Sequence, residues 1–213
     1  MLHLRDVAKR YGAVPVIRNV TCTIHPGTVH LLLGDNGAGK TTLLRLMARL
    51  ASPTAGTVEY DPPSRQCAFL GHAGFLYPGL TALENLRFWR DAQRLPKSDA
   101  HLLELLDRVG LAAHAHRRAA VFSRGMAQRL SLARVLLQQA DILLLDEPGT
   151  GLDAASRTLL HDEVKQARDR GAAVVLITHD VAQDVRLADR VLLLRNRTLA
   201  YDGDVGGFQE AAA

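Results

Sequence analysis

A nine-residue segment near the N-terminus has the residue types and spacing of a phosphate-binding loop. Residues 34–42 read Gly-Asp-Asn-Gly-Ala-Gly-Lys-Thr-Thr and fit the pattern G-x-x-x-x-G-K-[ST]. The glycines let backbone N–H groups approach and cradle phosphate oxygens. Lys40 would place its charge on the β- and γ-phosphates, and the Thr41 hydroxyl is suited to Mg²⁺. The predicted phosphate-binding residues are Gly34, Asp35, Asn36, Gly37, Ala38, Gly39, Lys40, Thr41 and Thr42.

A second segment carries two carboxylates at the end of an apolar run. Residues 142–148 read Ile-Leu-Leu-Leu-Asp-Glu-Pro, which predicts a buried strand that ends in acids. In doubly wound folds such a strand end lies near the phosphate loop. Asp146 suits the Mg²⁺ shell, and Glu147 is then placed to polarise an attacking water. Taken without the loop, the segment is equally an acidic turn after a strand.

His179 follows the end of a third apolar run, at residues 174–177. A lone histidine after a strand is usually structural. Here the parallel arrangement would bring it to the same sheet edge as Gly34 and Asp146, so we expect it to hydrogen-bond a γ-phosphate.

Ser123 precedes the apolar pattern of a helix, so it is a good N-cap. The start of a helix with a Ser hydroxyl and the Gly125 N–H is also an anion site. The two interpretations, simple capping and anion binding, use the same physics. A second anion site in a chain that already has a phosphate loop needs an explanation.

The order of elements favours an α/β fold. Alternation in the first thirty residues predicts two strands joined at residues 11–12. Residues 29–33 and 66–70 read as buried strands. Helices are predicted at 41–50, at 81–90 with a Thr81–Glu84 capping box, at 99–109, at 125–139 and at 154–170. Strands then return at 142–145, 174–177 and 191–194, and this alternation favours a parallel sheet.

The composition is that of an ordinary globular chain. The 213 residues fit one domain, with 47% hydrophobic residues and a net charge of +4. The longest apolar runs are far short of the roughly 20 residues of a membrane helix, and the N-terminus lacks an apolar signal region, so we expect a cytoplasmic protein. Cys22 and Cys67 are expected to be buried free thiols. The positive residues are scattered, which does not favour nucleic acid as a partner.

These motifs together resemble the ATP-binding cassette ATPases, which power ABC transporters. Residues 34–42 resemble the Walker A motif, and residues 142–147 resemble Walker B. The segment that begins at Ser123 resembles the family signature, normally Leu-Ser-Gly-Gly-Gln. The resemblance spans essentially the whole chain, with motif order and spacing in agreement. It implies that Asp153 belongs to the D-loop, that His179 is the switch histidine, and that Tyr11 stacks on adenine.

The resemblance also implies a fold and partners. The expected fold is a RecA-like P-loop core with a parallel sheet, an N-terminal antiparallel β subdomain and an inserted helical subdomain at about residues 75–140, all within one ATPase domain over residues 1–213. Two copies would pair head to tail, with ATP and Mg²⁺ between Walker A of one and the signature of the other. The catalytic set would be Glu147, His179 and Lys40, and the metal would be held by Thr41 and Asp146. The other partner would be an integral membrane subunit at the inner face of the cell membrane.

Two positions depart from the family pattern. His72 stands where family members usually have a Gln that contacts Mg²⁺ and water, and either contact or a structural role is open to it. Arg124 replaces the first signature Gly, and its side chain can point away from the ligand.

Within the family, residues 70–89 resemble the small ATPase of the haem-exporter type that serves cytochrome c maturation. ATPases of drug and polysaccharide exporters share much of this segment and are the alternative. A soluble ATPase that acts on nucleic acid or ribosomes is less expected, because such relatives usually carry two cassettes or long insertions. Phe75, Leu76, Tyr77 and Trp89 would either contact the membrane partner or form the core of the helical subdomain.

Overall fold

The structure is a computed structural model that describes residues 1–71 and 74–212, with side chains to residue 208. The strands are β1 (Leu2–Tyr11), β2 (Val14–Ile24), β3 (Val29–Gly34), β4 (Ala55–Tyr60), β5 (Cys67–Leu70), β6 (Ile142–Asp146), β7 (Ala173–Ile177), β8 (Arg190–Arg195) and β9 (Thr198–Asp204). The helices are α1 (Lys40–Met47), α2 (Ala82–Ala92), α3 (Asp99–Arg108), α4 (Arg124–Leu136), α5 (Ala154–Asp169), α6 (Val181–Asp184) and α7 (Val205–Ala212), with short 3₁₀ helices at Ala112–His114 and Ala119–Val121.

The strands form two sheets. An antiparallel sheet has the order β2-β1-β4, and a six-stranded sheet has the order β5-β6-β7-β3-β8-β9. In the larger sheet β3 is parallel to β7 and to β8, β6 is parallel to β7, and β9 closes the edge antiparallel to β8. The parallel core and the N-terminal antiparallel strands were predicted. The antiparallel edge strand β9 was not, so the larger sheet is mixed.

The central strands are apolar because both of their faces are covered. Every residue of β6 and β7 is buried, and so are the first five residues of β3. Parallel strands that are buried on both faces read as continuous apolar runs rather than as alternating ones, and this is why the sequence located them. The register of β6 and β7 determines which residues meet where these strands end, since Asp146 is paired with Ile177.

The chain divides into two compact units, which are described separately. The first contains residues 1–69, 140–147 and 164–213, and the second contains residues 70–139 and 148–163. The core of the first unit joins the antiparallel sheet, α1 and the central strands through buried apolar side chains, among them Leu4, Ile17, Leu32, Leu44 and Leu144. The expectation of one domain with a helical insertion at about 75–140 stays a prediction.

The second unit is helical, with its helix starts fixed by capping. The predicted capping box of α2 is confirmed: Thr81 Oγ1 accepts the Glu84 N–H, and Glu84 accepts the Thr81 N–H. These bonds hold the pKa of Glu84 below its usual range. Ser98 caps α3, and at the other end of α3 Arg108 makes two bonds to the buried carboxylate of Glu163. The free thiols are confirmed, Cys22 being buried and Cys67 half-buried.

None of the helices within residues 1–71 and 74–212 is long and apolar enough to cross a membrane.

Candidate functional site

The phosphate loop connects the end of β3 to the start of α1, as the sequence predicted. Its glycines are required by close contacts. Gly34 has φ 144°, and a Cβ there would lie 2.3 Å from the carbonyl oxygen of Leu194. Gly39 has φ 103°, and a Cβ there would lie 2.6 Å from a methyl carbon of Ile17. A side chain at either position would push the loop away from the strands that support it.

Lys40 folds back over the loop that it ends. Its Nζ donates to the carbonyl oxygens of Gly34 at 2.7 Å and Asp35 at 3.0 Å. The Ala38 N–H donates to Asp35 O at 3.1 Å and tightens the same turn. The ammonium therefore lies at the centre of the loop, next to the free backbone N–H groups that begin every helix.

A cavity of about 260 Å³ opens over this loop. Its walls come from the phosphate loop, the first turn of α1, strand β2 and the end of β6, as Val16, Asn36, Gly37, Gly39, Lys40, Thr41, Thr42 and Glu147. The first turn of α1 contains no acidic residue, so the helix N-terminus and Lys40 give this wall a positive potential. These residues fit a polyphosphate. The sequence predicted all of them except Val16.

The two predicted carboxylates follow one another at the end of β6 but differ in environment. Asp146 is 2% exposed, whereas Glu147 is half-buried and lines the cavity. A hydroxyl and a carboxylate, from Thr41 and Asp146, are hard oxygen ligands of the kind that Mg²⁺ prefers, and Mg²⁺ completes its shell with water and phosphate oxygens. The donor set therefore fits Mg²⁺ bound together with a phosphate ligand.

Glu147 has an unusual backbone. Its φ is 54°, in the left-handed region that side chains other than glycine rarely adopt. Its N–H donates to the Ile177 carbonyl at 3.0 Å, so the neighbouring strand β7 holds it. Strained residues of this kind concentrate at functional sites. The sequence predicted the role of this residue but not its conformation.

His179 is bonded to Glu147. Its Nε2 lies 2.6 Å from Glu147 Oε1, and the ring is 58% exposed. A carboxylate can only accept, so Nε2 donates. The expected position at the sheet edge with Asp146 is what the strand register gives, since His179 follows β7 and Asp146 ends β6. The partner that the structure provides is Glu147, where the sequence suggested a phosphate.

Ser123, Gly125 and Asp153 lie in the second unit, where each has a local structural contact. Ser123 Oγ accepts the Met126 N–H at 3.2 Å and caps α4. A Cβ at Gly125 would lie 3.2 Å from the Gly151 carbonyl. Asp153 Oδ1 accepts the Ser156 N–H at 2.8 Å, and the bonds to Ser156 lower the pKa of Asp153. Capping of α4 by Ser123 is thus present, and its anion-binding role stays a prediction.

Two further predicted positions contribute little to the described geometry. Tyr11 is 51% exposed, with Lys9 Nζ 5.0 Å from its ring centre, and it does not line the cavity. Its stacking on adenine stays a prediction. His72 lies outside the described residues, so its proposed contact with Mg²⁺ or water stays a prediction too. The side chain of Arg124 packs on Gly151, and its orientation away from a ligand stays a prediction.

The aromatic residues after His72 form a half-exposed cluster around Arg134. Phe75, Tyr77 and Phe88 are 45%, 43% and 39% exposed. The buried Arg134 guanidinium lies 5.4 Å from the Phe75 ring centre and 5.2 Å from that of Trp89, and burial lowers the pKa of Arg134 to about 10. The rings therefore pack on one another and on Arg134 while keeping exposed faces, and their contact with a membrane partner stays a prediction.

Comparison with known proteins places the whole chain in one family. A family model described as ABC transporter matches residues 17–150, more than half of the chain. The aliphatic sulfonates import ATP-binding protein SsuB of Albidiferax ferrireducens is 38% identical over 96% of this chain and 74% of its own length. The Fe(3+) ions import ATP-binding protein FbpC of Rhizobium etli is 33% identical, and the chain spans 62% of its length. NatA of Bacillus subtilis, an ABC transporter ATP-binding protein, is 32% identical over 99% of this chain and 92% of its own length.

Solved structures agree. The structure of an ATP-binding subunit of an ABC transporter superposes with a TM-score of 0.90 at 27% identity, covering 100% of this chain and 93% of the other. A dimeric bacterial ABC transporter cassette superposes with a TM-score of 0.87 at 26% identity over 96% and 99% of the two chains, and a dimeric post-hydrolysis state of that cassette, bound to ADP and Pi, gives the same values. This confirms the predicted fold class. The chain belongs to the ABC transporter family and is one of its ATPases.

Proposed function

We propose that this ATPase hydrolyses ATP with Glu147 as the residue that activates water, in the service of a separate membrane-spanning transporter subunit. The observation that carries this proposal is the Glu147–His179 pair, joined at 2.6 Å, with Glu147 in the wall of the cavity over the phosphate loop. A carboxylate next to a phosphate site is placed to accept a proton from attacking water.

Each residue of the site has a physical role in this scheme. The loop N–H groups and Lys40 bind the phosphates, because the N-terminus of α1 and the ammonium are both positive and the first turn of α1 contains no acidic residue. Thr41 and Asp146 would hold Mg²⁺, which when bound offsets phosphate charge. His179 donates to Glu147 and fixes the direction of its carboxylate. Preorganised groups of this kind need no reorientation as the reaction proceeds.

The working unit is proposed to be two copies of the chain. One chain carries one phosphate loop and one signature, and the related cassette was solved as a dimer, including a state with ADP and Pi. Ser123 and Gly125 begin a 13-residue helix, and the N-terminus of a helix of this length favours an anion. In the dimer these two residues would bind the nucleotide held by the other copy.

The proposed membrane partner is supported by the relatives and by one surface. SsuB and FbpC are named as import ATP-binding proteins. In this chain the cluster of Phe75, Tyr77, Phe88 and Trp89 exposes aromatic faces, and aromatic residues are enriched at protein contacts. We assign this surface to the membrane subunit, which would place the chain at the inner face of the membrane.

The cargo assignment rests on different ground. Haem export was predicted from residues 70–89 alone, and the names of the relatives give it no support: they specify import of sulfonates and ferric ions. Transport direction is therefore to be assigned by reconstitution with the membrane subunit that co-purifies with this chain, with haem, a sulfonate and ferric ion as candidate cargoes. Movement of haem away from the membrane face on which ATP is supplied would support the export prediction. Movement of a cargo toward that face would contradict it.

Hydrolysis by the purified chain tests the proposal. Wild-type protein with Mg-ATP should release phosphate, and Glu147→Gln should reduce the rate by about 100-fold or more while nucleotide still binds. Equal rates of phosphate release for the two proteins would show that Glu147 does not activate the attacking water. A chain that binds ATP without any turnover would instead be a nucleotide-binding regulator.

A further inference from the structure

Gln128, on the helix that the signature opens, bonds to the residue that follows Glu147. Its Nε2 donates to the Pro148 carbonyl at 2.9 Å. Gln128 is half-buried and Pro148 is buried. A carbonyl can only accept, so the amide nitrogen must face it, and this settles which way the side chain amide is oriented.

Pro148 lies next to a backbone conformation that needs support. Glu147 has φ 54°, and the residue before a proline is sterically restricted as well. The N-terminal side of Glu147 is held by the bond from its N–H to Ile177 O. On its C-terminal side the chain is held by the proline ring and by the bond from Gln128. Strained backbone persists only where its surroundings fix it.

The same stretch of α4 contacts the turn after Pro148 at two more points. The aliphatic part of the Arg124 side chain packs on Gly151: a Cβ placed on Gly151 would be 3.2 Å from Arg124 Cδ. The backbone of Gly125 lies against the Gly151 carbonyl, since a Cβ placed on Gly125 would be 3.2 Å from that carbonyl oxygen. Residues 124, 125 and 128 share one helix face, because neighbours on a helix are three or four residues apart. The start of α4 and the turn after Glu147 are therefore in direct contact at three points.

We propose that Gln128 is a positioning residue for Glu147: by holding the Pro148 carbonyl it fixes the peptide that follows Glu147, and so the direction in which the carboxylate points. The inference rests on the proposed hydrolytic role of Glu147. It gives the signature helix a mechanical link to the water-activating group. Displacement of the Ser123 end of α4 moves Gln128, and through Pro148 it changes the backbone of Glu147.

A merely structural glutamine would change stability, whereas a positioning residue changes turnover at constant nucleotide affinity. Gln128→Leu removes the donor at similar size. Gln138→Leu is the matched control, since Gln138 is also half-buried but lies beyond the end of α4. We expect kcat of Gln128→Leu to fall about tenfold with KM for Mg-ATP within twofold of wild type. The control should keep both values.

Two further variants keep the test decisive if Gln128→Leu folds poorly. Gln128→Glu has the same shape but presents an acceptor to the Pro148 carbonyl, so its kcat should fall further than that of the leucine variant. Glutamate forms helices about as well as glutamine, which favours folding of this variant. Gln128→Lys restores a donor and should recover most of the wild-type kcat.

A last experiment distinguishes positioning of Glu147 by Gln128 from nucleotide binding at the signature. In a Glu147→Gln background, Gln128→Leu should leave ATP-dependent dimerisation unchanged, because Gln128 acts through Glu147 alone. Wild-type kcat in both Gln128→Leu and Gln128→Glu would overturn the inference while leaving the proposed function intact, and so would a raised KM at unchanged kcat. Absence of hydrolysis by the wild type would overturn both.

Discussion

The imidazole of His179 and the carboxylate of Glu147 are joined by a hydrogen bond of 2.6 Å from Nε2 to Oε1. Because the carboxylate can only accept, the bond fixes the proton on Nε2 and leaves Nδ1 as an acceptor in the neutral ring. The ring is 58% exposed and the carboxylate 17%. The histidine is therefore the accessible member of the pair, and Glu147 is the member turned toward the cavity.

Loss of this bond should slow turnover without weakening nucleotide binding. His179→Ala leaves Glu147 without its orienting donor, so we expect kcat to fall by about 10- to 100-fold, with the Kd for Mg-ATP within about twofold of wild type. Steady-state phosphate release and equilibrium binding measure the two quantities. His116→Ala, at an exposed histidine in the second unit, is the control and should match the wild type. A His179→Ala protein with wild-type kcat would show that the bond has no part in hydrolysis.

Substitution of Lys40 should weaken the binding of Mg-ATP. Its Nζ holds the carbonyls of Gly34 and Asp35 and lies in the cavity wall. Lys40→Met keeps the length of the side chain but removes the charge, so the Kd for Mg-ATP should rise at least about tenfold. Titration with a fluorescent ATP analogue measures it, with Lys97→Met as control, since Lys97 donates to Gln139 in the second unit. An unchanged Kd would mean that the cavity over this loop is not the phosphate site.

The chemistry-bearing residues could be predicted from the sequence because they follow strand ends. Gly34, Asp146 and His179 each come just after a continuous apolar run, and parallel strands place such positions at one edge. The register of Asp146 opposite Ile177 is what that rule requires. Helix starts were predictable for a similar local reason: Thr81 with Glu84 forms the capping box that its spacing indicated.

Features that depend on contacts distant in sequence were missed. Val16 lines the cavity from β2, and nothing in its own neighbourhood indicates this. The bond from Gln128 to Pro148 joins segments twenty residues apart. Strand β9 alternates half-buried with exposed residues and contains Asp and Gly, so its weak pattern gave no strand prediction. It forms because β8 offers an unpaired edge.

His30 should make the protein sensitive to acid. It lies fully buried on β3, and burial, together with electrostatic repulsion from Arg190 on β8 and His25 after β2, lowers its pKa to about 4, against a smaller opposite effect of Asp202 on β9. The unfolded chain takes up this proton near pH 6.5, and the folded chain only near pH 4. The free energy of unfolding should therefore fall by about 1.4 kcal/mol per pH unit as pH drops through this window.

His30→Leu removes the titrating group and should remove that slope. Urea unfolding at several pH values between 6.5 and 4 should show the stability of the wild type falling, relative to the variant, by about 3 kcal/mol across the window. His116→Leu changes an exposed histidine and should keep the wild-type pH dependence. Parallel curves for wild type and His30→Leu would mean that His30 takes up its proton without cost in the folded state.

Two copies of the chain are proposed to close on ATP, and hydrolysis at Glu147 to reopen them. Size-exclusion chromatography with light scattering on Glu147→Gln tests this proposal most directly. With Mg-ATP the variant should elute as a dimer, because the nucleotide binds but persists, and with Mg-ADP it should elute as a monomer. Adding Ser123→Glu should abolish the dimer by placing a negative charge against the phosphates. A Glu147→Gln protein that binds Mg-ATP and still elutes only as a monomer would contradict the account.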